Sequence, residues 1–396
     1  MPWQHWNDAV EAALQNRRSA DELRQRRITR QLDATHVEID GRHYVNFSSN
    51  NYLGLTHHPK VLAAFTSAAT DNGVGSGAAA LVSGYSSAHA SAERAIAKWK
   101  GTESAVLLSS GYAANLAAVQ SLAAISAPDG LTLLIDKLVH ASLIDAVRSV
   151  CTSNKKISFR VFPHNNLSKL DRLLEQSQPQ LCAVLTESIF SMDGDAADLP
   201  GIAKLKEKYS FLLLLDEAHA SGVYGPAGAG YAAELGLGSI VDLSVVTLSK
   251  AIGCIGGAVC ASQKFCDAII NFGRPFIYST NLLPAAAAAA EAAIRVMQEE
   301  PQRQKRLRDF TMQLRKALTE IGLKTIEGDS PIVPILLGEE TAAMAAAEKL
   351  LKCGFLVVAI RPPTVPPGSS RLRITLSSEH SQAEVGGLLG ALGSIV

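Results

Sequence analysis

Two short segments of the chain carry residues that could do chemistry together. The apolar run 212–215 ends abruptly in Asp216 and His219, and a second apolar run, 241–248, is followed by Lys250. Such breaks are typical of buried parallel strands, and open α/β sheets bind ligands at the carboxyl ends of these strands. A lysine that forms a Schiff base and a carboxylate that pairs with a pyridinium nitrogen are the parts of a pyridoxal phosphate site. The two segments therefore predict such a site.

Each of these residues also has a simpler explanation. A lysine is usually a solvated surface residue, although burial at a strand end would lower its pKa and favour the reactive amine. Asp216 could instead cap the helix that follows its strand, and the sequence leaves this alternative open. The run 216–219 also resembles the metal box of helicases, but the sequence lacks the phosphate-binding loop G-x-x-x-x-G-K-[ST] that such enzymes need.

Other residues could hold the rest of a cofactor. Gly111 follows the apolar run 105–108 and opens a helical pattern, where free backbone N–H groups can bind a phosphate. A plain strand-to-helix turn explains this glycine equally well. Thr247 lies three residues before Lys250 and could donate to the same phosphate. His140 follows another strand pattern and is either a structural histidine or a residue that stacks on the cofactor.

A proline-rich loop at 361–367 lies among residues that could bind an anion: Arg361, Thr364, Arg371 and Arg373. Arginine binds carboxylates through two parallel hydrogen bonds, so one of them is a candidate for the carboxylate of an amino acid. Surface charge is the alternative, although two arginines on an apolar strand pattern make it less attractive.

The elements that must position these residues alternate between strand and helix. The strand candidates are 105–108, 132–135, 159–162, 181–186, 211–215, 243–248 and 257–261. Helical patterns separate most of them, which predicts an α/β fold with a mainly parallel sheet between helices. The last two strands leave no room for a helix between them, which predicts one antiparallel edge.

The sequence divides into three predicted parts: an N-terminal arm at 1–45, a large domain at 46–283 and a smaller C-terminal α/β domain at 284–396. An Ala-rich helix from Pro284 to Glu300 would connect the two domains. In the arm, residues 1 to about 35 predict a helix that packs on the main body or on a partner, and 36–47 predict a strand pair with a turn at Asp40-Gly41. The apolar stripe of that helix comprises Trp6, Val10, Leu14 and Leu23.

Composition excludes several classes of protein. Basic and acidic residues number 37 each, so a nucleic-acid binder that relies on a basic surface is not expected. No apolar run is long enough to predict a membrane span, and the N-terminus has no signal-peptide pattern. The six cysteines form no C-x-x-C pair, and the histidines show no metal-ligand spacing. We therefore expect reduced thiols, no metal and a cytoplasmic location.

Taken in order, these segments resemble the α-oxoamine synthases, a family of fold type I pyridoxal phosphate enzymes. The matching segments are 46–54, 82–85, 110–115, 140–143, 190–195, 216–219, 247–250, 277–280 and 360–366, with 371–375 following. The last two are most similar to the branch that makes oxononanoate. The chain departs from the family at Asn51, where Asp is usual, at 78–80, where three alanines replace a polar set, and at 220–221, where Ala-Ser replaces Gly-Thr.

The resemblance implies a role for each matching position. Lys250 would carry the cofactor, Asp216 would hold the ring nitrogen, His219 would hold the ring hydroxyl and His140 would stack on the ring; these four would be the catalytic residues. The remaining cofactor-binding positions would be Gly111, Tyr112, Thr247 and Ser191, with Ser279 and Thr280 reaching across from a second subunit. Arg24, Arg361 and Thr364 would face the acyl substrate. Asn50 and Arg373 would face the amino-acid carboxylate, and His140 would also contact substrate.

The implied fold has a mostly parallel seven-stranded sheet, and the implied reaction joins L-alanine to a pimeloyl thioester with loss of carbon dioxide. The product would be 8-amino-7-oxononanoate, a precursor of biotin, and the enzyme would be a homodimer with shared sites. The alternatives are a sister enzyme that uses glycine or serine with another acyl thioester, and an aminotransferase of the same fold. The carrier, coenzyme A or a carrier protein, is open.

Overall fold

The computed structural model describes residues 2–19, 23–24 and 26–395 of the 396-residue chain. The helices are α1 Pro2–Ser19, α2 Pro59–Asn72, α3 Ser87–Lys100, α4 Gly111–Ile125, α5 Ala141–Ser153, α6 Leu167–Ser177, α7 Leu199–Lys208, α8 Tyr231–Glu234, α9 Gln263–Phe272, α10 Arg274–Ile277, α11 Pro284–Glu299, α12 Gln302–Glu320, α13 Glu340–Lys352 and α14 Gln382–Ile395. Among the described helices, none combines the length and the apolarity that crossing a membrane requires.

The strands form one large sheet and two small ones. They are β1 Arg30–Gln31, β2 His36–Ile39, β3 Arg42–Asn46, β4 Ser104–Leu108, β5 Leu131–Asp136, β6 Ile157–Phe162, β7 Cys182–Glu187, β8 Leu212–Asp216, β9 Leu243–Thr247, β10 Gly257–Ala261, β11 Ile332–Gly338, β12 Phe355–Leu356, β13 Val358–Ile360 and β14 Ser370–Thr375. The large sheet has the order β4-β10-β9-β8-β7-β5-β6. Each of its strands overlaps a strand candidate of the sequence.

One detail of the predicted sheet is wrong. The antiparallel strand is not at an edge: β10 lies in the interior, antiparallel to β9 on one side and to β4 on the other. The short connection 248–256 cannot make the crossover that a parallel neighbour needs, so β10 must run antiparallel to β9. Nothing in the sequence pattern indicates that β4 then pairs with the far side of β10.

Burial on both faces explains why the strand patterns are continuous apolar runs. In β8, Leu213 and Leu215 pack toward α6 and α7, whereas Leu214 packs toward α4 and α5. A strand covered on both faces cannot alternate polar and apolar residues. The first position free to be polar is therefore the strand end, where Asp216 lies.

The small sheets use strands from both ends of the chain. The order β1-β2-β3-β12 places the C-terminal strand β12 parallel to β3, and β11-β14-β13 forms the other sheet. The neighbouring strands β12 and β13 are thus divided between two sheets. The predicted hairpin at 36–47 is confirmed, because β2 pairs with β3 and both turn residues have positive φ, 50° at Asp40 and 75° at Gly41.

The N-terminal helix is shorter than predicted. It ends at Ser19, and residues 23–24 and 26–29 form no regular element before β1. The stripe residues Trp6, Val10 and Leu14 are exposed, so within this chain the stripe does not pack on the main body. Residues 1, 20–22 and 25, which the predicted helix included, lie outside the described residues. The division into three domains stays a prediction.

Candidate active site

The strand ends bring the three predicted chemical residues together. Strands β8 and β9 run side by side in parallel, with Asp216 opposite Val245. Lys250 follows the end of β9, and its Nζ lies 2.8 Å from Nε2 of His219. Asp216 is buried, and its carboxylate accepts hydrogen bonds from the amide of Asn115 at 2.7 Å and from the backbone N–H of Ala218 at 2.9 Å.

Lys250 has the electrostatic surroundings of a reactive amine. Burial lowers its pKa to about 8, and the positive charge of Arg373 acts in the same direction. The negative charge of Asp216 opposes this change and keeps the pKa from falling further. Near neutral pH an appreciable fraction of Lys250 is therefore the free amine, which is the nucleophilic and basic form.

His219 forms a chain of polar contacts with Lys250 and Tyr52. The Tyr52 hydroxyl lies 2.6 Å from Nδ1 of His219 and 3.3 Å from Oδ1 of Asn50. Burial lowers the pKa of His219 well below its usual range and raises that of Tyr52 to about 12, so both are neutral near pH 7. With a neutral Lys250, Tyr52 donates to Nδ1 and the Nε2–H group of His219 faces the amine.

His140 is oriented by its own helix. It caps α5, and its Nδ1 accepts from the backbone N–H of Ser142 at 3.2 Å and from the Ser142 hydroxyl at 2.8 Å. Burial lowers the pKa of His140, so the neutral ring carries its proton on Nε2. The Asn115 amide also donates to the Ser142 hydroxyl at 2.9 Å, which connects His140 to Asp216 through the side chains of Ser142 and Asn115.

Gly111 and Thr247 lie against each other at the N-terminus of α4. A Cβ atom on Gly111 would be 3.1 Å from both Cβ and Oγ1 of Thr247, which is closer than ordinary contact. Ser110 caps the helix by accepting from the N–H of Ala113 at 3.0 Å. The free backbone N–H groups at the N-terminus of α4 and the Thr247 hydroxyl can therefore donate to the same phosphate. The exposed Tyr112 donates to Asp145 at 2.6 Å.

The two buried arginines of β14 differ in their partners. Arg371 forms an ion pair with Asp193. Arg373 donates to the carbonyl of Ser191 at 2.8 Å, to Oγ1 of Thr375 at 3.1 Å and to Oδ1 of Asn50 at 3.3 Å. Within the described residues no carboxylate pairs with Arg373. Of the two buried arginines of β14, Arg373 is therefore the one available to a substrate carboxylate.

Other candidates stand apart from this cluster. Arg24 is exposed in the arm, and Thr364 is exposed while Arg361 is half-buried in the proline loop. Ser279 and Thr280 lie between α10 and α11, and no hydrogen bond joins either side chain to the site residues described here. Ser191 contacts the site through its backbone carbonyl, which accepts a hydrogen bond from Arg373, and not through its hydroxyl.

Three residues of the site were missed as site residues in the sequence: Tyr52, Asn115 and Glu187. Asn115 is one helical turn beyond Gly111, and Tyr52 is two residues from Asn50, so both lie in segments that were singled out for other residues. Glu187 ends β7 directly opposite Asp216, is buried and has an Oε1 without a hydrogen-bond partner. Burial and the charge of Asp216 raise its pKa well above the usual range. The feature of the sequence that could have identified Glu187 is its place as the last, polar residue of an apolar strand.

The residues that depart from the family pattern are packed into the structure. Asn51 is buried, and its amide donates to Oγ1 of Thr56 at 2.7 Å. The three alanines lead into a π-helical turn at Ala80–Gly84, which Asn281 holds through the carbonyls of Ala78 and Gly84, both at 3.0 Å. The turn leaves Leu81 and Val82 exposed.

Comparison with known proteins identifies relatives along nearly the whole chain. The profile of the family "aminotransferase class I and II" matches residues 42–392. The chain is 39% identical to the 8-amino-7-oxononanoate synthase of Cellvibrio japonicus, over 99% of this chain and 96% of that protein. It is 40% identical to the protein of the same name from Methylococcus capsulatus, over 97% of each.

Solved structures share the fold. A serine palmitoyltransferase from Sphingomonas wittichii superposes with a TM-score of 0.89 at 29% identity, over 100% of this chain and 97% of that one. The 8-amino-7-oxononanoate synthase from Francisella tularensis superposes with a TM-score of 0.76 at 25% identity, over 89% of this chain and 97% of that one. A further serine palmitoyltransferase, solved with pyridoxal phosphate as an internal aldimine, has a TM-score of 0.90 at 29% identity, over 98% of this chain and 96% of that one.

Proposed function

This chain belongs to the family of class I and II aminotransferases, and from that membership and its site we infer that it is a pyridoxal phosphate-dependent acyltransferase. It joins L-alanine to a pimeloyl thioester and releases carbon dioxide and the free carrier thiol. The product is 8-amino-7-oxononanoate, which gives relatives of about 40% identity their name and which serves biotin synthesis.

The residues at the strand ends fit this cofactor. Lys250 offers a free amine, the buried Asp216 offers a carboxylate for a protonated ring nitrogen, and His219 offers an N–H group beside the amine. Gly111 leaves room at the N-terminus of α4 that a side chain would fill, where the phosphate would bind. When bound, pyridoxal phosphate supplies an electron-withdrawing ring that stabilises negative charge on the Cα of an amino acid.

The chain's own residues supply the proton transfers and the orientation. Lys250, as the free amine, accepts the Cα proton of alanine and later returns a proton to the same carbon. Between these steps the Cα–acyl bond forms, the carbon–sulfur bond breaks with the electron pair and a proton going to the thiol, and the alanine carboxylate carbon leaves as carbon dioxide. Arg373 with Asn50 would hold that carboxylate, and His140 would cover one face of the ring.

The observation that carries the proposal is the series of polar contacts that joins Lys250 to Arg373 through His219, Tyr52 and Asn50. The positive charge of Arg373 also lowers the pKa of both Lys250 and His219, as expected of an anion-binding group in the same site as the reactive amine. An enzyme that binds an amino acid by its carboxylate and removes its Cα proton needs this pair. We propose that Arg24, Arg361 and Thr364 face the acyl chain, as the family resemblance implies.

The test is release of free carrier thiol across a panel of amino acids and acyl thioesters. The proposal expects the highest kcat/KM with L-alanine and a pimeloyl thioester, with one carbon dioxide released for each thiol. The fold similarity to serine palmitoyltransferases makes serine with a long acyl thioester the informative alternative. Preference for serine or glycine, or formation of pyridoxamine phosphate without thiol release, would overturn the assignment. Offering coenzyme A and carrier-protein thioesters in parallel identifies the carrier.

Lys250→Ala tests the site within the same assay. The variant should lack the visible absorbance of lysine-bound cofactor after dialysis and should release no thiol above background. Lys305→Ala, on the exposed side of α12, is the matched control because that side chain pairs with Asp309 on its own helix. A Lys250→Ala protein that keeps both the absorbance and the turnover would disprove the assignment.

We propose in addition that the enzyme is a homodimer in which Ser279 and Thr280 of one subunit reach the phosphate of the other. Large apolar side chains that this single chain leaves exposed support this arrangement: Val74, Leu81, Val82, Ile255 and Tyr278. Sedimentation of the holoenzyme measures the mass, and mixing Lys250→Ala with Thr280→Ala subunits should restore activity if sites are shared. The cytoplasmic location expected from the free cysteines stays a prediction, which cell fractionation would test.

A further inference from the structure

His164 lies between two aspartates and has no role in the function proposed above. It follows β6, and its Nδ1 lies 3.1 and 3.2 Å from the two carboxylate oxygens of Asp136. Its Nε2 lies 2.6 Å from Oδ2 of Asp195. The ring packs edge-on against Phe190, with ring centroids 4.3 Å apart. The three polar residues come from the ends of β5 and β6 and from the loop after β7.

The geometry requires His164 to be charged. Both ring nitrogens face carboxylates, which accept hydrogen bonds only, so both nitrogens must donate and the ring must be the imidazolium. Burial alone would lower the pKa of this histidine, but hydrogen bonds and charges from Asp136 and Asp195 outweigh burial and raise it to about 10. The network therefore holds one fixed positive charge between two negative ones across the physiological pH range.

Asp136 connects this charge to the cofactor-stacking histidine. The carboxylate is fully buried, and its Oδ1 accepts from the backbone N–H of Leu138 at 2.8 Å. Leu138 opens the turn that ends at His140, where α5 begins. The orientation of that turn thus depends on a carboxylate that His164 holds together with the backbone N–H of Asn165, which donates to Oδ2 at 3.0 Å.

Asp195 connects the same charge to the loop that seats the arginines of β14. In this loop, 191–195, the Ser191 carbonyl accepts from Arg373 and the Asp193 carboxylate pairs with Arg371. The loop closes on itself, because Phe190 N–H donates to the Asp195 carbonyl at 2.9 Å. His164 is the ionic partner of Asp195, whose second oxygen has no hydrogen-bond partner.

We propose that His164 is a positioning residue that sets Arg373 and His140 relative to each other through Asp195 and Asp136. It touches neither substrate nor cofactor. The inference rests on the proposed function, in which Arg373 receives the amino-acid carboxylate and His140 covers the ring. Losing the imidazolium releases loop 191–195 on one side and the turn before His140 on the other, while the acyl-facing residues keep their places.

The test compares His164→Gln with the wild-type holoenzyme. Glutamine removes the charge, so any hydrogen bond that it donates to either aspartate is weaker than the charge-assisted bonds of the imidazolium, and the KM for alanine should rise at least about tenfold. The KM for the pimeloyl thioester should stay within about twofold, as for sites that do not share partners. The visible circular dichroism of bound cofactor should also change, because His140 is released. His43→Gln, at an exposed position of β3, is the matched control.

A second variant separates positioning from folding. Asp195→Asn keeps the size of the side chain, and by the proposal the double variant His164→Gln/Asp195→Asn loses no more alanine affinity than the worse single variant. A merely structural role would lower the amount of active enzyme and leave the alanine KM unchanged, and that result, or additive losses in the double variant, would overturn the proposal. If wild-type enzyme does not use alanine, the proposed function fails, whereas the circular dichroism comparison still decides the role of His164.

Discussion

Replacing Arg373 by methionine should weaken alanine binding about a hundredfold without destabilising the empty enzyme. The partners of its guanidinium are the Ser191 carbonyl, Thr375 and Asn50, and none of them carries a charge. A buried cation with only neutral partners is not compensated for the loss of its hydration, so an apolar replacement of similar length leaves stability unchanged or raises it. A substrate carboxylate would form two charge-assisted hydrogen bonds, worth about 3 kcal/mol or more, which is roughly a hundredfold in Kd.

Arg371→Met is the matched control, because the two arginines are two residues apart on β14 and equally buried. Arg371 differs in having Asp193 as its ion-pair partner. Its removal leaves a largely buried carboxylate unpaired, which should lower the free energy of unfolding by about 1 to 3 kcal/mol. Alanine binding should fall far less than in the Arg373 variant, because Arg373 and its Ser191 partner remain and loop 191–195 keeps the ion pair between Asp195 and His164.

Two assays distinguish the variants: thermal unfolding of each protein, and titration of its visible absorbance with alanine. The Arg373 variant has a second signature, because losing that positive charge should raise the pKa of Lys250 above its value of about 8. The pH at which the lysine amine becomes free would then move upward. If both variants lose alanine affinity equally, or if Arg373→Met loses stability and keeps its affinity, the assignment of Arg373 to the substrate carboxylate is refuted.

Three further predictions follow from the same contacts. The rate at which apoenzyme binds pyridoxal phosphate should rise with pH to a midpoint near 8, because Lys250 reacts as the free amine above its lowered pKa. Stopped-flow absorbance measures this rate, and a midpoint near the usual lysine pKa would contradict the prediction. Tyr52→Phe leaves Nδ1 of the buried His219 without its partner, so kcat should fall about tenfold to a hundredfold, and unchanged turnover would exclude the contact. Lys100→Met leaves the buried carboxylate of Glu217 without its ion-pair partner, which should lower the free energy of unfolding by about 3 to 5 kcal/mol. Calorimetry measures this loss, and Lys100→Met/Glu217→Gln should recover part of it.

The sheet was predictable because its strands are buried on both faces. A continuous apolar run that stops at a polar residue locates both a strand end and a site residue, which is how Asp216 and Lys250 were found. The pattern carries no information on strand order beyond neighbours in the chain, so the interior position of β10 was not predictable. The N-terminal helix was predicted too long because its apolar periodicity continued beyond Ser19, where the described helix ends.

Residues of the site were predictable only where the residue type itself indicates a chemical role. Lysine, aspartate and histidine at strand ends did so, whereas Asn115 and Tyr52 act through hydrogen bonds of a kind that many buried polar residues make. His164 was missed for the same reason, since its partners Asp136 and Asp195 are far from it in sequence. The difference between Arg371 and Arg373 depends on Asp193, which only the folded chain brings to one of them.

The interior position of β10 also determines the order in which the enzyme can be assembled during synthesis. Strand β4 leaves the ribosome early, yet its backbone partner in the sheet is β10, with Ser104 opposite Ala261. Contacts that span so much of the chain form slowly, because the intervening loop must first be closed. Until residue 261 has emerged, Gly111, which follows β4 and begins α4, and Thr247, which ends β9, have no strand between them to hold them at their final separation. A nascent chain can therefore fold its β5–β8 core while the phosphate end is still open, and vitamin B6 can be captured only after the large sheet is complete.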